Sequence, residues 1–384
     1  MLFLTHSFPR FPGDAPGSFL HRLAVALRNE SVDVHVVAPA APGLAQSEQI
    51  AGVQVERFRY APRSLETLAY TGTMAQDVAG SWGARLAMSG YLAAGFASGM
   101  KARQRVEPDV IHAHWWFPSG LLAAGVSRFS RTPLVTTMHG SDIRLARDIA
   151  AARPFFRQVM RRSSQVTVVS SWLASEASAI VPGLSPIVAP MPVAIDRFAP
   201  GGQRHERRFL FVGRLNAQKG LAHALQAMAR LDDATLDVVG DGPDGSRLKA
   251  MAAEAGIASR IFWHGQLMQD QLVHLYQSAT ALVVPSTDEG LGLVAAEALM
   301  CETPVIAFRS GGLTDVVEDE VTGLLVKPGD ESALAMAMKR VLAQPSQARA
   351  MAMAGRITSI AAFSPEAVAS RYAEVYADAI GQNA

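Results

Sequence analysis

A single cysteine, Cys301, stands in a chain of 384 residues, so no internal disulfide can form and a packed core must hold the fold. That scarcity fits a reducing compartment, and a cytoplasmic location is expected. Charge of one sign is missing too. The 35 Lys and Arg meet 34 Asp and Glu, a formal net charge of +1, and leave no global footprint for nucleic acid. Charged residues make up only 18% against 49% hydrophobic, which excludes a disordered or fibrous chain. No run reaches the roughly 20 apolar residues of a membrane-spanning helix. The nearest, LAMSGYLAAGFASGM (Leu86 to Met100), is rich in small residues, is bracketed by Arg85 and Lys101, and reads as a core or interdomain helix. The opening MLFLTHSFPRFPGD lacks the basic lead of a signal peptide and reads as a strand entering a loop.

Several chemistries have no motif here. There is no G-x-S-x-G nucleophile elbow, no Walker loop and no Asp-x-Asp metal pair. His112 and His114 form a His-x-His pair, but no third ligand follows at a recognisable spacing and Cys301 is far away, so no metal site is expected.

What is present is alternation. In the first half, LFLTH, DVHVVAP, VQVERFRY, DVIHAH, PLVTTMH and QVTVVS read as strands. Helical stretches separate them, including a long one from about Leu65 to Arg105 and one near Ile149 to Arg162. PGGQRHERR (Pro200 to Arg208) is glycine-rich and basic and reads as a linker. The alternation then restarts with FLFVG, TLDVVG, RIFWHG, ALVVPS, PVIAF and GLLV, and a final amphipathic helix, SPEAVASRYAEVYADAI, closes the chain. Short Val- and Ile-rich runs between helices predict an α/β protein of two doubly wound, Rossmann-like domains facing across a cleft. The expected boundaries are residues 1–198 and 199–364. Ligands of such sheets bind beyond the carboxyl ends of the strands, which points to the loops carrying Arg214, Asp241, Gly265 and Glu289.

Those loops carry chemistry. In VGRLNAQKG, Gly213 permits a tight turn, and Arg214 and Lys219 lie five residues apart before the helix that Gly220 opens. A guanidinium fork, an ammonium and free helix N–H groups together suit a diphosphate; two solvated surface cations are the alternative. FWHGQL ends a strand at His264 and Gly265, and backbone from Phe262 to Leu267 could read a nucleobase edge. PSTDEGLGLVAAEALM (Pro285 to Met300) sets Glu289 and Glu297 eight positions apart around an apolar run. Glu289 is expected on the loop at the strand end, and Glu297 about two turns inside the helix. Ionised carboxylates accept hydrogen bonds only, so two of them along a ligand could hold two sugars by their hydroxyls. Gly290 and Gly292 let backbone approach that ligand. In the first half, TMHGSD places His139 before Gly140 and Asp142, where it could meet a sugar hydroxyl or developing charge. FPGDAPGSF leads to a helix opened by Gly17 and Ser18, another potential anion site.

Taken together these residues resemble the family-4 retaining glycosyltransferases of GT-B fold. The likeness runs nearly end to end. It rests on the Glu-x7-Glu element of EGLGLVAAE, with VGRLNAQKG, GDGPDGSRL, TGLLVKPGD and TMHGSD in the family's order. The resemblance implies roles. Arg214 and Lys219 would neutralise the donor diphosphate, Glu297 would bind the nucleotide ribose and Glu289 the donor sugar. His139 would lie near the reacting centre and Gly17 in a loop near donor and acceptor. Gly213, Gly265, Leu267, Gly290, Leu291, Gly292 and Leu293 would complete the donor site, and residues 365–384 would return to the first domain. Four features depart from the family pattern: Gly13 and Gly17 are separated rather than adjacent, Leu291 stands where phenylalanine is usual, Glu302 lies where glycine is usual, and PMPVAIDRF replaces the common Pro-Asn-Gly run at the domain junction.

The expected activity is metal-independent, retaining transfer of a hexose-type sugar from a nucleotide diphosphate sugar to a saccharide or lipid-linked acceptor. No cofactor is needed, and a UDP-sugar is preferred over a GDP-sugar as donor. Two other readings stand beside it: a nucleotide-sugar epimerase on the same fold, and a non-catalytic nucleotide-sugar-binding partner. The stretch from Arg144 to Arg162 packs six arginines around Phe155, Phe156, Val159 and Met160. It reads either as a peripheral contact with the inner face of an anionic membrane or as a helix packed on its own sheet with a solvated basic face.

Overall fold

The structure, a computed structural model, describes residues 1–70 and 74–381. It consists of two compact units: Met1–Pro192 with the chain from Pro365 onward, and Val193–Ser364. Each is built on its own sheet.

The first unit has eight strands: β1 (Leu2–Leu4), β2 (His35–Pro39), β3 (Ser47–Ile50), β4 (Val53–Phe58), β5 (Ile111–His114), β6 (Leu134–Met138), β7 (Gln165–Val168) and β8 (Ile187–Val188). They lie in the order β3-β4-β2-β1-β5-β6-β7-β8, and only β3 runs antiparallel to its neighbour. β5 and β6 are buried along their whole length, as strands covered on both faces by helices must be. β3 and β8 have no counterpart in the sequence reading. β3 reads SEQI, alternately exposed at the sheet edge, and β8 has two residues, so neither offers an apolar run.

Two helical stretches divide where the sequence suggests continuity. Beyond the turn Arg63–Leu65 come Met74–Gly80 and then Trp82–Val106, whose cap Ser81 accepts a hydrogen bond from the Ala84 N–H; the expected start of this region includes residues 71–73, outside the described residues. Ile149 to Arg162 begins with a 3-10 turn, Ala150–Ala152, and becomes an α-helix only over Arg153–Arg162, with proline in its first turn. The last helix, Pro365–Gly381, belongs to the first unit, where it packs on the helix Ser18–Leu27. Its Tyr372 hydroxyl donates to the Ala189 carbonyl at 3.0 Å, and its Tyr376 hydroxyl meets His112 Nδ1 at 2.8 Å.

The second unit has β9 (Arg208–Val212), β10 (Thr235–Val239), β11 (Ile261–Gly265), β12 (Ala281–Val284), β13 (Val305–Phe308) and β14 (Leu324–Val326). Their order is β11-β10-β9-β12-β13-β14, all parallel. Phe209, Phe211, Leu236, Val238, Val283 and Phe308 form the centre of its core. The chain leaves β9 in one direction through β10 and β11, then returns to β12 on the other side. The carboxyl ends of β9 and β12 therefore flank a topological switch point, where diverging loops leave a crevice.

The stretch Pro200 to Arg208 is not a free linker. Arg204 donates to the carbonyls of Ala279, Cys301 and Glu302 at 3.0, 3.0 and 2.6 Å and to Thr303 Oγ1 at 3.1 Å. Two of those carbonyls end the helix Leu293–Met300, where a cation meets the negative end of the dipole. A basic segment without apolar pattern is thus pinned to the second unit, which begins at Val193. Among the described residues no helix is long and apolar enough to cross a membrane.

Candidate active site

The switch point of the second unit gathers the charged residues. After β9 the chain passes Gly213 and Arg214, makes a 3-10 turn over Ala217–Lys219, and enters the helix Leu221–Met228 through Gly220. Asn216 caps the turn, its Oδ1 accepting the Lys219 N–H at 3.1 Å. Gly220 has φ 70°, and a Cβ there would sit 2.0 Å from the Pro285 carbonyl oxygen. Only glycine lets the loop after β9 close against the end of β12. That closeness brings Lys219 Nζ to 2.6 Å from Glu289 Oε2, an ion pair between residues 70 apart in sequence. Both side chains are largely shielded, 22% and 12% exposed.

The loop after β12 is tied to its neighbours by hydrogen bonds. Gln218 Nε2 donates to the Asp288 carbonyl at 3.0 Å, the Asp288 N–H to Ser310 Oγ at 3.1 Å, and the Gly312 N–H to the Glu289 carbonyl at 2.8 Å. Gly290 and Leu291 are buried within it. The helix expected from Gly290 starts at Leu293, because Gly292 turns left-handed with φ 91°. A Cβ on Gly292 would meet Leu313 Cδ2 at 2.6 Å. Glu297 therefore lies about one turn into the helix, not two. It is 9% exposed and accepts a hydrogen bond at 2.9 Å from the Tyr276 hydroxyl. Burial, with the Glu297 charge adding to it, holds that phenol far above its ordinary range, so it stays a donor. Sequence reasoning missed Tyr276; nothing in QDQLVHLYQS marks one tyrosine as a carboxylate partner 21 residues away.

Gly213, Lys219, Glu289, Gly292 and Glu297 thus share one end of one sheet. Gly213 joins them through Lys219, whose Cγ would lie 3.4 Å from a Cβ at that position. Leu293 opens the helix. Gly265 and Leu267 do not join this cluster directly. Gly265 ends β11, the edge strand, which β10 separates from β9, and Leu267 lies two residues beyond it. Gly265 has φ 65° and open space where a side chain would stand. The neighbouring His264 turns back to the sheet, its Nε2 2.6 Å from Asp237 Oδ1, while Gln266 between Gly265 and Leu267 is exposed.

His139 and Gly17 lie in the first unit, Gly17 on the segment after β1 and His139 at the end of β6, with β5 between those two strands. Gly17, with φ 73°, precedes the helix that carries Phe19, and the Phe19 ring centroid is 5.4 Å from that of His139. Trp115 stacks on His139 at 4.3 Å and against His6 at 4.2 Å. Asp142 braces the loop: Oδ1 accepts the N–H groups of His139 and Gly140 at 3.1 and 3.0 Å, and Oδ2 that of Trp116 at 3.1 Å. Burial raises the Asp142 pKa while these N–H groups pull it down. His139 Nε2 is 3.2 Å from His114 Nδ1. Burial holds both rings well below the usual histidine range, and His6 at about 4, so all three are neutral near pH 7. His112 is a satisfied core residue between Tyr376 and Thr137. Among the described residues no three His, Cys, Asp or Glu side chains converge as a metal site.

The helix Arg153–Arg162 uses its apolar face internally: Phe156, Val159 and Met160 are buried and only Phe155 is exposed.

Comparison with known proteins agrees with this architecture. A family model described as glycosyl transferases group 1 matches residues 194–358, and one described as glycosyl transferase 4-like domain matches residues 15–189. The chain is 30% identical over 367 residues to a 2-deoxystreptamine glucosyltransferase of Streptomyces kanamyceticus, covering 87% of this chain and 91% of that one. It is 34% identical over 328 residues to a D-inositol 3-phosphate glycosyltransferase of Frankia alni, covering 76% and 80%. Sucrose-phosphate synthase of Thermosynechococcus elongatus superposes with a TM-score of 0.82 over 99% of both chains at 24% identity. Anabaena HepE, solved with UDP-glucose, superposes with a TM-score of 0.75 over 98% of this chain and 99% of that one at 20% identity. These last two establish the fold alone, which is GT-B.

Proposed function

The chain belongs to the group 1 glycosyl transferases, within family 4 of the GT-B enzymes, and from that premise we propose that it moves a hexose-type sugar from a nucleoside diphosphate sugar to a saccharide or lipid-linked acceptor, retaining the anomeric configuration and using no metal ion or other cofactor. The observation that carries this reading is the Lys219–Glu289 ion pair, set beside the helix N-terminus at Leu293 and one turn before Glu297. An ammonium and a carboxylate at one switch point suit a ligand that is anionic at one atom group and rich in hydroxyls at the next. The preferred donor is a UDP-sugar.

In this mechanism Arg214 and Lys219 meet the diphosphate, and Glu289 accepts hydrogen bonds from the hydroxyls of the transferred sugar. Glu297, oriented by Tyr276, accepts from the ribose hydroxyls. The base lies along the backbone near Gly265 and Leu267. As the bond from the anomeric carbon to the phosphate oxygen breaks, charge grows on the diphosphate and the two cations stabilise it. The acceptor hydroxyl attacks from the same face, its proton passing to the departing phosphate oxygen as the new glycosidic bond forms. His139, neutral and held by Asp142 and His114, donates to or accepts from a sugar hydroxyl near that carbon. Glu289 forms no covalent intermediate. The expected setting is the cytoplasm.

The test is calorimetric titration with UDP, GDP and ADP, followed by anomer analysis of the product by NMR. UDP should bind the wild type, and Glu297→Ala or Lys219→Met should weaken it at least tenfold. A glycosyl adduct trapped on Glu289, an inverted product, loss of activity in EDTA, or sugar turnover without acceptor would each overturn a part of the reading.

A further inference from the structure

Just beyond β6, His139 Nε2 lies 3.2 Å from Nδ1 of His114, the last residue of β5. Burial holds both rings well below the usual histidine range, so neither is a cation near neutral pH. Two neutral imidazoles at that distance share one proton, one nitrogen donating and the other accepting. Which ring donates follows from the other nitrogen of His114. That ring is fully buried and packs against Phe3 and His112, with centroids 5.0 and 4.0 Å away. Among the described residues its Nε2 has no hydrogen-bond partner. If His139 donated, His114 would carry its own proton on Nε2, a buried N–H with nothing to accept it. If His114 donates, the same Nε2 is a bare acceptor. Folded proteins leave a buried acceptor unused more readily than a buried N–H. The shared proton therefore belongs to His114 Nδ1.

His139 then accepts at Nε2 and carries its own proton on Nδ1. Its ring is partly exposed, and with Nε2 turned to His114, Nδ1 is the nitrogen left for a ligand. Trp115 lies against the ring at 4.3 Å, and Asp142 Oδ1 holds the His139 backbone N–H at 3.1 Å, so the direction of Nδ1 is set as well. Free neutral histidine favours the opposite form, with its proton on Nε2. We propose that His114 is a positioning residue that fixes the His139 tautomer, so that His139 offers Nδ1–H to the substrate as a donor and takes no proton from the acceptor hydroxyl. The role given to His139 rests on the transferase reading, in which it meets a sugar near the reacting carbon, and of donating and accepting it leaves only donating. A neutral N–H stabilises an oxygen that gains electron density as the bond to the phosphate breaks. It has no lone pair on that side with which to act as a base, so the acceptor's proton is left to the departing phosphate oxygen.

The test is a long-range proton–nitrogen correlation spectrum of the full chain with nitrogen-15 histidine, near neutral pH. His139 and His114 are assigned by the signals that vanish in His139→Asn and His114→Asn. Both rings should be neutral, with Nδ1 protonated and Nε2 bare. In His114→Leu the His139 proton should move to Nε2, whereas the amide N–H of His114→Asn can stand in for Nδ1–H and keep it in place. A merely structural His114 would leave the His139 tautomer unchanged in His114→Leu. With substrates, His114→Leu should lower kcat about three- to tenfold at unchanged donor KM, the worth of one neutral hydrogen bond, and His114→Asn should recover most of it. His139→Asn, which can donate, should retain more activity than His139→Asp, which only accepts. A wild-type His139 protonated at Nε2, or His139→Asp as active as His139→Asn, overturns the proposal. The wild-type spectrum decides the tautomer even if His114→Leu does not fold. It also needs no substrate, so a wild type that transfers no sugar would strike the transferase reading while the tautomer is still decided.

Discussion

Replacing Glu289 with glutamine should tighten binding of the bare nucleoside diphosphate while impairing sugar transfer. Lys219 Nζ sits 2.6 Å from Glu289 Oε2, with the two side chains 22% and 12% exposed. At that distance the bare Coulomb attraction at an effective dielectric of about 20 is several kcal/mol, and desolvation offsets most of it. Fully exposed pairs are worth below about 1 kcal/mol, and breaking buried ones costs about 3–5 kcal/mol. A pair shielded to this intermediate degree should hold Lys219 by about 1–2 kcal/mol, which a diphosphate must match before it can use the ammonium. Glutamine keeps the shape and removes the competing charge, so UDP should bind about five- to thirtyfold tighter. The assay is calorimetric titration of UDP against wild type, Glu289→Gln, Lys219→Met and the double variant at low salt. The gain must vanish in the Lys219→Met background, where there is no ammonium to release, and the cycle should show coupling of about 1–2 kcal/mol. In the same variant, kcat/KM with the nucleotide sugar should fall about ten- to a hundredfold, because charge-assisted hydrogen bonds to the sugar are lost. Unchanged or weaker UDP binding in Glu289→Gln, or a gain that survives without Lys219, would refute the reasoning.

Other consequences can be checked separately. Gly220→Ala should destabilise the second unit by about 3 kcal/mol or more, since its Cβ would fall 2.0 Å from the Pro285 oxygen, whereas Gly43→Ala, with φ 82° and no atom within 4 Å, should cost only about 1–2 kcal/mol of left-handed strain; comparable urea midpoints would contradict this. Tyr276→Phe removes the donor 2.9 Å from the buried Glu297 carboxylate and should cost about 1.5–3 kcal/mol in urea unfolding of the second unit, with weaker UDP binding; wild-type values for both would show that the contact is idle. The buried His112 ring titrates at about 3 in the fold against 6.5 in the unfolded chain, so its contribution is complete above pH 6.5 and is lost as pH falls from there towards 3, where the unfolded chain takes up the proton first. The loss should be on the order of 4 kcal/mol. Chemical unfolding of the first unit between pH 7 and 4 should therefore be shallower in pH for His112→Gln, and equal slopes would rule the account out.

Much of the site is legible locally. Apolar runs ending in glycine mark strand ends, so the loops with Arg214 and Glu289 could be read from VGRLNAQKG and PSTDEGLGLVAAEALM. The left-handed Glu302, with φ 56°, likewise occupies a helix end where the family pattern has glycine. Contacts were not legible. Lys219 meets Glu289 across 70 residues, Tyr276 meets Glu297 across 21, and His114 meets His139 across 25, each on the far side of an intervening strand or helix. Arg204 looked like part of a linker until four acceptors on the second unit were found around one guanidinium.

Period and composition determine local geometry, because side-chain direction alternates along strands and advances 100° per helical residue whatever lies nearby. On that basis the sequence alone determined two α/β units, their strand runs, and the glycine-flanked charges at strand ends. It also determined that the stretch Arg144 to Arg162 would be basic and amphipathic. Strand order is a different kind of fact. It depends on which faces cover each other best, and that comparison runs over the whole unit. Only the tertiary structure decided that β12 lies beside β9, and this adjacency turns one lysine and one glutamate into a pair. The same step decided that Phe156, Val159 and Met160 belong to the core while Phe155 faces outward.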